Sequence, residues 1–360
     1  MVPSLLIYTG VLIVCCLTAL LADKWNSKGL VWVIIAVMTL LSGLRAVTVG
    51  IDTASYVSKF QLIAEGKLGL AYGLEDSFKY LCFICLKITN SPTAMLAILA
   101  LITNACMVCR FWELRKISSF PCMVACFYMA FYFASMNCIR QFCAVAVVFY
   151  AARYLNQKKI ARYILGVLAA MIFHQTAIVG VVPVLLAAVR WKEYSRNQRL
   201  FYLFGVIALP AVLLIGFTVL RRYLKYFSNV SIDFGMMTAV KLVFFAATVF
   251  FAFVAQRGKY FPWDLQHITG SDRFSLILSG SCYFLGLCLS VLGYIFPYAD
   301  RIGWYFFVYE GVYLGVLLKA KKRQNAVFFG VCGLTLIGYG FVYSMLHNSQ
   351  GTMPYLFFWQ

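Results

Sequence analysis

Residues 29–60 read GLVWVIIAVMTLLSGLRAVTVGIDTASYVSKF. An apolar run ends at Leu44, and Arg45, Asp52 and Tyr56 follow almost at once. Such a run reads as a membrane-crossing helix, with the polar residues after it just outside the bilayer. The same kind of run recurs from one end of the chain to the other. Of the 360 residues, 63% are hydrophobic and 12% charged, about half the charged fraction of a soluble domain. The expected fold is all-α: a polytopic integral membrane protein, one domain over residues 1–360. The longest polar interruption, residues 45–91, is expected as a loop with a surface helix at 76–89. A transmembrane β-barrel is excluded, because the apolar runs are continuous rather than alternating.

Counting runs predicts about twelve transmembrane helices. They fall at 3–22, 29–44, 92–112, 119–135, 138–155, 160–175, 176–190, 199–220, 237–256, 274–296, 302–319 and 325–346. The sixth and seventh are short enough to be a bent or re-entrant pair. Met-Val-Pro-Ser precedes the first run with no basic segment, so that run reads as a retained helix rather than a signal peptide.

Lys and Arg set the orientation. One set of connections carries Lys24, Lys28, Arg110, Arg115, Lys116, Arg153, Lys158, Lys159, Arg162, Arg190, Lys192, Arg196, Arg199, Arg257, Lys259, Arg273, Lys319, Lys321, Lys322 and Arg323. The other carries a smaller set, including Arg45, Arg140, Arg221, Arg222, Lys241 and Arg301. The richer set is expected in the cytoplasm, which puts both termini and the 45–91 loop outside. The net charge of +19 is therefore topogenic, and no nucleic-acid partner is expected. Most of the thirteen cysteines lie inside apolar runs. The CxxC spacings at Cys82/Cys85 and Cys106/Cys109 lack the further ligands of a zinc site, so no metal is expected.

Polar residues gather at the outward ends of the runs. Asn137, Arg140 and Gln141 open the fifth. Asn137 and Arg140 are three apart, a spacing that shares a helix face. A helix N-terminus beside an arginine suits a phosphate group. Arg45, Arg301 and the Arg221–Arg222 pair stand at ends on the same side; for Arg45, Arg140 and Arg301 snorkelling is the plain structural alternative. His174 ends the sixth run at that level; it is a candidate base, against the plainer reading of a packed, hydrogen-bonded histidine. Asp52 is the rival base, and pairing with Arg45 would keep it ionised. Glu310 is the one acid well inside an expected span. It is a secondary candidate, functional by default or paired with Lys241.

These residues resemble the EpsG family, which is similar to the Wzy polymerases of bacterial polysaccharide assembly. The resemblance rests on Gly43-Leu44-Arg45, Gly50-Ile51-Asp52 and Tyr56. It continues through Ile139-Arg140-Gln141, the basic loop 156–159 and Phe173-His174, then Arg301 before Tyr305 and Phe306, and Met353-Pro354-Tyr355. It implies a fold like the GT-C-like lipid-carrier glycosyltransferases. It also implies a multi-pass protein of the bacterial inner membrane that works at the periplasmic face. The implied activity is polymerisation of O-antigen, capsule or exopolysaccharide from oligosaccharide repeats on undecaprenyl diphosphate, without cofactor. A chain-length regulator and a flippase of the same pathway are the implied protein partners, besides membrane lipid. In this reading Arg140, His174 and Asp52 do the chemistry. Arg45, Tyr56, Asn137, Gln141, Arg221, Arg222 and Arg301 bind substrate. A flippase for the same lipid is the competing class. It would show broken helices at mid-membrane and a repeated half.

Overall fold

The computed structural model describes residues 2–186, 239–241, 243–244, 246–247, 270–293, 299–319 and 324–360. The described helices are α1 (Val2–Trp25), α2 (Lys28–Gly43), α3 (Thr53–Ala64), α4 (Asp76–Leu86), α5 (Pro92–Leu114), α6 (Phe120–Ala130), α7 (Tyr132–Asn137), α8 (Ile139–Ala151), α9 (Arg153–Asn156) and α10 (Ile160–Met171). A 3₁₀ turn, Gln175–Val181, leads into α11 (Pro183–Leu186). Then come α12 (Gly270–Leu292), α13 (Ala299–Phe307), α14 (Glu310–Lys319) and α15 (Gln324–Leu346). Among the described residues there is no strand, only a bridge between Arg45 and Phe357. The eighth expected span, most of the ninth, and Arg221 and Arg222 lie outside the described residues.

Four described helices are long and apolar enough to cross a membrane: Val2–Trp25, Pro92–Leu114, Asp272–Leu292 and Ala326–Leu346. The others are shorter. The expected span 119–135 is divided at Phe131 into α6 and α7, and the span 302–319 is divided at Val308–Tyr309 into α13 and α14. No Gly or Pro marks either division, which is why a reading of apolar runs joins them. Leu6, Leu17, Leu20, Leu165, Phe328 and Tyr339 stay exposed on α1, α10 and α15. Apolar side chains facing outward along a helix suit contact with lipid.

The centre is α6, buried from Cys122 to Tyr128 without a free face. A helix apolar all round belongs inside, and α1, α5, α14 and α15 surround it. The row α1–α2–α5–α8–α10 flanks it, with α12 against α13 beyond. Close approach needs small residues. At Gly43 an added Cβ would lie 2.7 Å from Ala97 Cα, so α2 and α5 touch through backbone there.

The 45–91 segment is folded. The expected surface helix is α4; α3 is a second one, with Val57, Phe60 and Ile63 buried at helical spacing. Both pack on α5 and α8 through Phe78, Cys82, Leu96 and Ile139, a core separate from the main one. The C-terminal tail closes the same end of the bundle. Tyr355 takes the Ser4 hydroxyl oxygen at its N–H (2.8 Å) and donates its own hydroxyl to the Leu41 carbonyl (2.8 Å), while Tyr8 donates to Thr352 (2.9 Å). The opposite end joins Asn26 to Arg115, Glu113 to Arg153, Asn156 to Ser275 and Lys319 to Arg115. Arg115, Arg153 and Lys319 of the richer basic set thus meet at one end.

Candidate functional site

Backbone geometry at Cys138 (φ −82°, ψ 52°) ends α7 and starts α8 afresh, leaving Arg140 in the first turn of α8. Its guanidinium forms an ion pair with Glu75 and donates to the Gly73 carbonyl at 3.2 Å. The rings of Tyr56 and Phe78 lie 5.8 and 5.4 Å from it. Glu75 sits at the N-cap position of α4, yet its carboxylate makes no capping bond; it reaches across to Arg140 instead. Gly73 allows the turn that aims it, with φ of +80°. The sequence reading missed Glu75, which lies in a loop with other acids and has no motif of its own.

His174 Nε2 stands 3.9 Å from the other Glu75 oxygen. Its Nδ1 accepts the Thr176 N–H (3.3 Å) and lies 2.7 Å from Thr176 Oγ1, which in turn meets the Tyr305 hydroxyl at 3.0 Å. This network assigns the ring proton to Nε2, facing Glu75. Burial, then the charges of Arg140 and Arg301, lower the His174 pKa from 6.5 to about 4. Unfolded, the imidazole protonates near 6.5, whereas folded it stays neutral to about 4. Between those values the unfolded chain binds more protons, so stability falls as pH drops through that window and levels off below it. By pH 5 the expected loss is about 2 kcal/mol. Thermal melting of the purified protein at pH 7 and pH 5 checks this: His174→Gln should show a smaller acid shift, and an equal shift would remove His174 as its source.

Charges of both signs stand around the cluster, with Lys59 and Arg301 against Asp52 and Asp300. Lys59 is pulled below its ordinary value by burial and by Arg140, with Asp52 opposing. The Tyr56 hydroxyl is pushed up by burial, against the charge and hydrogen bond of Arg140. Arg301 presents an exposed side chain, and its carbonyl accepts from Gln141 Nε2 at 2.8 Å.

The remaining expected site residues build the frame. Arg45 is 2% exposed and points inward. Its Nε donates to the Val49 carbonyl and Thr53 Oγ1, both at 3.3 Å, Nη1 to the Ser42 carbonyl, and Nη2 to the Met136 carbonyl at 2.7 Å. The expected Arg45–Asp52 pair is therefore corrected: backbone carbonyls occupy the guanidinium, and Asp52 makes no salt bridge among the described residues. The shared helix face of Asn137 and Arg140 is also corrected, since the chain turns at Cys138 between them. Asn137 donates to the Gln350 carbonyl and side chain, both at 2.8 Å, and accepts the Asp52 N–H at 3.5 Å. It thereby ties the Gly50–Asp52 turn to the tail. Gly50 has φ +96°, and a Cβ there would lie 2.7 Å from Asn137 Oδ1, so only glycine fits.

Glu310 and Lys241 form a separate group inside the bundle. Glu310 is 1% exposed, 3.4 Å from Lys241 Nζ and 3.4 Å from the Tyr283 hydroxyl, at the point where α13 gives way to α14. A cavity of ≈ 240 Å³ runs beside Lys241, walled by Phe131, Phe133, Trp304, Phe307 and Phe341 and reaching Gln350. Gln350 is also the partner of Asn137, so the cavity reaches the tail that Asn137 holds.

The EpsG family model matches residues 28–357, a range that includes every residue of this cluster. Neither a search of curated proteins nor one of solved structures finds a match.

Proposed function

The chain belongs to the EpsG family, and from that premise we propose that it is a polysaccharide polymerase acting on oligosaccharide repeats carried by undecaprenyl diphosphate. The reaction runs at the periplasmic face of the bacterial inner membrane, by metal-independent glycosyl transfer. The observation that carries this reading is the Arg140–Glu75–His174 cluster at the first turn of α8.

The chemistry follows from the residues. Outside the cytoplasm a sugar must arrive already activated, and a lipid diphosphate is that activation. The hydroxyl of one repeat attacks the anomeric carbon of another. Its proton goes to a base in the cluster, and the bond to the diphosphate breaks with its electron pair. Arg140, with the α8 N-terminus behind it, neutralises the departing charge. Arg301 and Lys59 add positive potential nearby. Tyr72, 74% exposed beside Gly73, offers a face for a sugar ring.

A second reading is a flippase for the same lipid. The divided helix at Val308–Tyr309, with the buried Glu310–Lys241 pair beside it, is what favours it. One experiment separates the two. The purified protein is placed in liposomes with undecaprenyl-diphosphate-linked repeats and a metal chelator. A ladder of lengthened glycans is the expected product. Repeats of unchanged length that cross the bilayer would replace polymerisation with transport.

A further inference from the structure

We propose that Glu75 is the group that takes the proton from the attacking sugar hydroxyl, and that Arg140 passes from Glu75 to the donor's diphosphate as the donor binds. This rests on the polymerase reading and names the base within it.

Three observations converge. First, Glu75 stands at the N-cap of α4 but leaves that helix uncapped. An acidic side chain there has free N–H groups close by, so its turn towards Arg140 and His174 needs another reason. Second, His174 cannot easily be the base in this arrangement. Its Nδ1 lone pair is taken by Thr176, and Nε2 presents a proton to Glu75 at 3.9 Å. That distance is beyond a hydrogen bond but closes with a small shift. Third, the two Arg140 Nη groups face Glu75 and the Gly73 carbonyl, while Nε is buried without a hydrogen-bond partner among the described residues. A diphosphate that takes both Nη groups displaces Glu75.

The exchange is favourable on charge. A diphosphate carries more negative charge than one carboxylate and accepts two parallel bonds from a guanidinium. The first turn of α8 adds its N–H groups to the same side. Once Arg140 moves, Glu75 has lost its counter-ion and faces a new anion. Both changes raise its affinity for a proton. The base is thus armed by donor binding and idle without it.

The step balances. The acceptor O–H bond breaks and its proton goes to a Glu75 oxygen. The acceptor oxygen bonds to the anomeric carbon, whose bond to the phosphate oxygen breaks, and the lipid diphosphate leaves with that electron pair. The proton then passes to water, which reaches Glu75 because its side chain is 15% exposed. His174 acts as a positioning residue, its Nε2–H steadying the carboxylate after Arg140 has gone. Arg140 on α8 and His174 before the 3₁₀ turn face Glu75 directly; Tyr56, Lys59 and Asp52 act around Arg140, Arg301 acts on His174, and Asp76 and Lys79 follow Glu75 on α4.

The test measures donor binding and turnover separately, in liposomes with undecaprenyl-diphosphate-linked repeats. Glu75→Gln should bind the donor at least as tightly as the parent, because Arg140 no longer has a rival anion. Its turnover should fall by about 10²–10⁴-fold. Glu75→Ala should be equally slow and should recover part of its rate on addition of formate, a small carboxylate that can enter the vacated space. Glu75→Asp should keep measurable activity. Parental turnover in Glu75→Gln would overturn the proposal. So would a loss of donor binding that matches the loss of rate, or no formate rescue in a Glu75→Ala protein that folds. If the parent itself yields no polymer, the polymerase reading falls first and this inference with it. If the parent polymerises and Glu75→Gln keeps pace, this inference alone falls.

Discussion

Arg140→Ala is expected to lower polymerisation by about 10²–10³-fold, the usual cost of removing a group that stabilises charge developing in the transition state. The protein itself should survive. Arg140 lies at the surface end of α8, its side chain 13% exposed, and the Glu75 it would leave behind is 15% exposed and within reach of water. Arg140→Lys should recover little. An ammonium keeps the charge but cannot pair with a carboxylate or phosphate and donate to the Gly73 carbonyl in one plane. It also lies less well between the Tyr56 and Phe78 rings. The measurement is glycan chain length in cells with matched amounts of membrane protein, followed by turnover of the purified variants. Near-normal long chains from Arg140→Ala would remove this residue from the site and leave the cluster without its anion-binding group.

Arg45→Ala should fail in a different way, by losing the fold. The guanidinium serves Ser42, Val49, Thr53 and Met136 together, and so joins α2, the following turn and α7. Burial lowers its pKa from 12.5 to about 10, so it stays charged at neutral pH. Removing it strands several buried acceptors at about 1–3 kcal/mol each. A total of about 3–5 kcal/mol is a large part of what a folded domain has to lose. Membrane abundance and the melting temperature in detergent should both fall sharply, whatever the substrate. If Arg45→Ala accumulates and melts like the parent but makes no polymer, Arg45 acts on substrate and not through the fold.

How far each of these residues could be understood from sequence depended on whether its partner is near in the chain. Apolar runs are local, so the all-helical architecture and the surface helix at 76–89 could be read directly. The position of Arg140 in a first helical turn was also legible, because the polar cluster 137–141 interrupts an apolar stretch. The Glu310–Lys241 pair followed from the cost of burying one carboxylate alone. The helix divisions at Phe131 and Val308–Tyr309 had no such signal. No breaker residue stands there, so the bend comes from what each half packs against. Asn137 and Arg140 show the same limit, since three-residue spacing puts two side chains on one face only while the helix continues, and at Cys138 it does not.

Tertiary structure alone decided the roles of the charged groups. Arg45 looked like half of an ion pair with Asp52, but the fold brings four acceptors to its fork and leaves Asp52 beside Lys59 and Tyr56. Glu75 looked like one more acid in a polar loop. The packing of α3 and α4 onto α5 and α8 carries it to Arg140 and within 3.9 Å of His174. Hydrophobic periodicity reports which face of an element is buried. It carries no information about which distant polar atom that burial brings into reach, and the chemistry of this site depends on that second fact.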